Sequence, residues 1–176
     1  MKQLLLVSWL LSLSAILGLP EVKADVRMPL IFGNHMVLQQ DTRITIWGWA
    51  DAGENIEVLF AGQKVRTTAN ADGTWQVKLK PVKTKKKGET LTITGKNKLV
   101  YSDVLVGDVW VASGQSNMEW GIKVRKEYAD DIAHSEDSLL RLFFVPKNTS
   151  LQPLSEIEIP QGTASPERAA RWVLCT

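Results

Sequence analysis

Val104-Leu105-Val106-Gly107-Asp108-Val109-Trp110-Val111-Ala112 is an apolar run broken only by Gly107-Asp108, and it leads directly into Ser113-Gly114-Gln115-Ser116-Asn117-Met118. A strand covered on both faces reads this way, because neither side has to meet water; parallel sheets flanked by helices are built from such strands. The pattern predicts a central strand over 104–112 and an α/β domain beginning near residue 103. Further on, Met118 to Ser138 carries Glu127, Asp130, Asp131, Glu136 and Asp137 and suits a solvated helix. Leu139 to Val145 reads as a second buried strand before Pro146.

Upstream the period changes to two. Ile44 and Ile46 alternate with Thr45, Trp47 and Trp49; Ile56, Val58 and Phe60 share a face; Trp75, Val77 and Leu79 alternate with Gln76, Lys78 and Lys80. Between these runs stand the turn formers Asp51-Ala52-Gly53, Ala61-Gly62-Gln63 and Asn70-Ala71-Asp72-Gly73. Leu91 with Ile93, and Leu99 to Tyr101, add two further strands around Gly95-Lys96-Asn97. Short strands at this spacing predict an antiparallel β-sandwich over 25–102. Lys83 to Lys87, without interleaved aromatics, reads as a solvated loop rather than a polyanion site.

Ser116 is the candidate nucleophile. A serine at the carboxyl end of a central strand, on the turn into a helix, stands in the crevice where α/β sheets bind ligands. Free amides at a helix start stabilise a developing oxyanion, which gives Gly114, Gln115 and Asn117 a site-shaping role. The same Gly-x-Ser-Asn turn also caps a helix without any chemistry. Met118 occupies the place of the second glycine of a Gly-x-Ser-x-Gly elbow, so that hydrolase class does not fit.

Val106 to Trp120 resembles the first motif block of bacterial sialate O-acetylesterases, members of the SGNH or GDSL-like hydrolases. Met36-Val37-Leu38-Gln39-Gln40, Trp47-Gly48-Trp49-Ala50 and Asp72-Gly73-Thr74-Trp75 resemble the amino-terminal β-domain of that family in the same order. Arg141-Leu142-Phe143, Val145 to Thr149, and Trp172 with Cys175 resemble its later segments. The resemblance implies a β-sandwich subdomain (25–102) followed by the start of a flavodoxin-like SGNH hydrolase domain (103–176), truncated here. It implies that the Ser116 hydroxyl attacks an acetyl ester on a sugar, with its own amide in the oxyanion hole and Glu119 and Trp120 beside the substrate. The remaining oxyanion donors, a histidine base and its orienting aspartate belong to later blocks of the family. The expectation is therefore a piece of a longer enzyme, weak or inactive alone.

Residues 1–24 read as a secretory leader: Lys2 precedes the apolar stretch Leu4 to Leu19, Pro20 breaks it, and Val22-Lys23-Ala24 offers a small-residue cleavage site. The stretch is shorter than the roughly 20 residues of a membrane-spanning helix. Export to the periplasm or beyond is expected, with no stable membrane insertion. The formal net charge of +2 gives no field that favours nucleic acid, so an O-acetylated glycan or small molecule is the expected partner. Cys175 is the single cysteine, which excludes an internal disulfide. Two distant histidines and that cysteine make no recognised metal spacing, and no cofactor is expected. His35 reads as a surface or packing residue, and His134 matches no catalytic block. Asn148-Thr149-Ser150 fits a glycosylation acceptor. Two alternatives stay open: an acetylxylan-type esterase, and a carbohydrate-binding β-module using Trp47, Trp49 and Trp75.

Overall fold

In the computed structural model the described residues are 25–119, 121, 126–160 and 170–175. The expected leader (1–24) and Trp120 lie outside them. The strands are β1 (Val37–Gln39), β2 (Ile44–Trp49), β3 (Asn55–Phe60), β4 (Gln63–Thr68), β5 (Thr74–Leu79), β6 (Lys85–Thr94), β7 (Lys98–Gly107), β8 (Asp137–Phe143) and β9 (Trp172–Cys175), and every second side chain is buried along β2, β3 and β5. One sheet runs β1-β7-β6-β3-β4, with β1 parallel to β7 and the other pairs antiparallel. β2 and β5 form a second, two-stranded sheet, and β8 with β9 a third.

The first two sheets enclose one core. Ile44 and Ile46 of β2 and Trp75, Val77 and Leu79 of β5 join Ile56, Val58 and Phe60 of β3, Leu91 and Ile93 of β6, and Val104 and Val106 of β7 in one apolar cluster. Lys78 and Gln76 face water because every second residue of a strand points away from the core. The β3–β4 turn is tight because Ala61 and Gly62 both take positive φ, the geometry that matches strand twist.

Gly48 of β2 lies where the chain segment at Arg27 pairs with Trp49. A Cβ there would collide with the Arg27 carbonyl oxygen and come within 3.2 Å of Met28 Sδ and Trp75 Cζ2. Gly48→Ala is therefore expected to destabilise by about 1–3 kcal/mol through overpacking. The urea midpoint measures it; a variant as stable as wild type contradicts this packing.

Three expectations are corrected. The described residues are mostly β-strand rather than α/β, and the α-helix among them, α1 (Ala129–Ala133), has five residues. β7 itself runs from Lys98 to Gly107. Val104, Leu105 and Val106 are buried on both faces, as a continuous apolar run requires, but they complete the five-stranded sheet. Val109 to Ala112 form no strand: Trp110 is 88% and Val111 91% exposed. The ladder stops because the Gln39 side chain takes the Val109 amide at 2.8 Å, where a partner strand's carbonyl would be needed. Finally, Lys85 to Lys87 begin β6 instead of lying in a loop. A register shift between Lys85 and Glu89 lets the backbone pair while the lysines face solvent.

Candidate active site

Residues 108–115 carry the chain from β7 to a 3-10 turn, Ser116–Glu119, closed by Met118 N donating to Gln115 O at 2.9 Å. The serine is exposed, as are Gly114, Gln115 and Asn117. Among the described residues its hydroxyl makes no hydrogen bond. Ser116 thus heads a four-residue turn, not a long helix at the end of a central strand, because the strand expected to lead into it ends at Gly107.

The apolar residues before the serine loop find a partial partner. Val109, Trp110, Val111 and Ala112 form one wall of a cavity of about 500 Å³ whose other walls include Leu38, Ile44 and Trp47. Ser116 is not among the residues lining it.

Neither histidine reaches the serine by a hydrogen bond. His134, after α1, shares its Nδ1 with the Asp130 carbonyl oxygen at 2.8 Å. His35 Nδ1 lies 2.8 Å from Asp103 Oδ2, and Arg141 Nη2 donates to the same oxygen at 3.0 Å. The Arg141 side chain is 4% exposed, and its Nη1 also donates to the Ser138 carbonyl. This ion-paired node fastens β8 to β7. Both His35 (φ 66°), in the turn before β1, and Asp103 (φ 52°), within β7, hold the left-handed conformation. Gly88 makes room: a Cβ there would stand 2.7 Å from the Asp103 Cα.

The node was not visible from residue types alone, since its members lie far apart in sequence. The available signal was Arg141 itself, a cation inside the apolar run Leu139 to Val145, which must find an acceptor if that run is buried. The hydrogen bond from His35, and then Arg141, hold the Asp103 carboxyl below its ordinary range. A lowered folded pKa means that the unfolded chain binds more protons, so this contribution is full above about pH 4 and lost below it. The stability gap between wild type and Asp103→Asn is expected to narrow as pH falls from about 5 to about 3. Urea midpoints across that range check it; a constant gap contradicts it.

Of the three tryptophans considered as a sugar platform, Trp75 is buried (2% exposed) and Trp49 is half-buried with the Arg27 guanidinium 4.2 Å over its ring. Trp47 alone is exposed, with Phe32 edge-on at 4.7 Å. The three-ring platform is not formed.

No family model matches the chain. It is 32% identical over 141 residues to the sialate O-acetylesterase of Mus musculus, covering 72% of this chain and 26% of that protein. It is 34% identical over 141 residues to that of Rattus norvegicus (71% and 25%), and 28% identical over 148 residues to that of Homo sapiens (76% and 28%). The crystal structure of a carbohydrate acetylesterase from Xanthomonas citri superposes with a TM-score of 0.75 at 33% identity, over 86% of this chain and 33% of that one. The chain thus spans about a quarter of the length of the curated relatives it matches.

Proposed function

The chain belongs to the family of the sialate O-acetylesterases, and from that premise we propose that it is the serine-bearing segment of an exported carbohydrate O-acetylesterase acting on acetyl esters of sialic acid. The observation that carries this is an exposed Ser116 hydroxyl without a partner among the described residues, in a chain about a third identical to named sialate O-acetylesterases.

The Ser116 oxygen attacks the acetyl carbonyl while its proton passes to a base. The tetrahedral intermediate expels the sugar oxygen, which takes that proton, and leaves an acetyl-serine. Water then adds to the acetyl-enzyme, and acetate departs. Gly114, Gln115 and Asn117 shape the turn whose amides face the oxyanion, and Glu119 and Trp120 flank the sugar. We place the base outside this chain, because neither histidine hydrogen-bonds to Ser116: the His35 Nδ1 contact is with Asp103 and the His134 Nδ1 contact with the Asp130 carbonyl. A serine without a base in reach is a poor nucleophile. Residues 1–24 direct export.

The test compares acetate release from an O-acetylated sialoside and from acetylated xylo-oligosaccharides, using the product of the whole gene and the 176-residue chain side by side. The whole product is expected to prefer the sialoside, and the chain alone to be slower by at least about 10²-fold, the low end of what a positioned base contributes. Preference for the xylan ester overturns the substrate assignment. Equal turnover by the chain alone overturns the missing base.

A further inference from the structure

A second cleft, of about 370 Å³, lies where the segment 145–158 passes over the outer face of β2. Trp47 lines both this cleft and the cavity walled by Trp110 to Ala112, so the two abut. Trp47 is 40% exposed, and Pro29 and Pro146 are buried beneath the cleft surface. Polar groups converge on this apolar base. Asn148 Nδ2 donates to Glu158 Oε2 at 2.9 Å, which fixes the carboxylate. Glu156 Oε1 accepts from the Leu30 amide at 3.1 Å and the Ile157 amide at 2.7 Å. Glu158 Oε1 has no partner among the described residues.

We propose that this cleft is a binding subsite for a neutral pyranose, separate from the serine loop. An indole in an open cleft offers the flat apolar surface that the C–H face of a sugar ring covers, and it does so at low entropic cost. A fixed carboxylate with a free oxygen accepts hydrogen bonds from ring hydroxyls, the few placed polar groups that give a mostly apolar site its specificity. Charge selects the class of sugar. Two carboxylates border the cleft and, among the described residues, no lysine or arginine lines it, so an anionic sugar would bring like charges together. The subsite therefore takes the uncharged part of a glycan, distinct from any sialic acid residue.

Isothermal titration of the unglycosylated 176-residue chain with lactose, xylobiose and 3′-sialyllactose tests this without reference to ester hydrolysis, so its failure leaves the serine assignment standing. At least one neutral sugar is expected to bind saturably, at about millimolar affinity. Sialyllactose is expected to bind no more tightly than lactose. Trp47→Ala is expected to weaken binding by at least about 10-fold, the loss typical of an aromatic anchor. Should that variant unfold, Glu158→Gln on the exposed segment replaces it. The amide leaves the fold intact, weakens neutral-sugar binding several-fold and narrows the disadvantage of sialyllactose. No binding of either neutral sugar, tighter binding of sialyllactose, or unchanged binding in the variants overturns the proposal.

Discussion

Ser116→Ala is expected to lower acetate release from an O-acetylated sialoside by at least about 10³-fold in the whole-gene product, with little change in KM. Loss of a serine nucleophile removes the covalent route, and in such a site the residual rate comes from oxyanion stabilisation and binding alone. The substitution costs the fold little, because the Ser116 side chain is exposed and makes no hydrogen bond among the described residues. A surface change of this kind usually shifts stability by less than about 0.5 kcal/mol. The melting temperature should therefore stay put while turnover falls. Turnover within a few-fold of wild type would place the nucleophile elsewhere.

Phe60→Ala is the second large effect, on stability rather than chemistry. Phe60 ends β3 with 1% of its surface exposed and belongs to the cluster shared by the two facing sheets. Truncating a buried phenylalanine costs about 3–5 kcal/mol, from lost transfer energy and the cavity left behind. Domains hold only about 5–15 kcal/mol in total, so the variant should lose a large part of its urea resistance. Leu59, on the opposite face and 38% exposed, serves as the control. Leu59→Ala should move the midpoint far less. Equal losses at the two positions would mean that the inward face of β3 is misassigned.

The β-rich half of the chain was legible because period two specifies which face is buried. Ile44, Ile46, Val77 and Leu79 point inward as the alternation requires, and a slip of one residue would turn each of them outward. The strand of 104–112 was only half legible, for a physical reason. Apolar continuity reports that a segment can be buried on both faces, but not which neighbours bury it. Val104 and Val106 find theirs in the core between the two sheets, whereas Trp110 and Val111 stand open. Residue types singled out Ser116 as a candidate but not its surroundings, since a turn of four residues and a helix begin with the same amino acids. The Asp103 node escaped because long-range ion pairs leave no periodic trace. His35 makes a hydrogen bond in it that its turn-like neighbours Gly33 and Asn34 did not announce.

Among the described residues no histidine hydrogen-bonds to Ser116, so the acetyl-serine step can be tested by where the covalent bond forms, apart from where the proton goes. The most direct measurement is rapid quenching of the whole-gene product during turnover of an O-acetylated sialoside, followed by peptide mass spectrometry. The acetyl increment is expected on the peptide carrying Ser116, rising before steady state and decaying once substrate is spent. An acetyl group on any other residue, or steady turnover with Ser116 unmodified throughout, would contradict the assignment of this hydroxyl as the nucleophile.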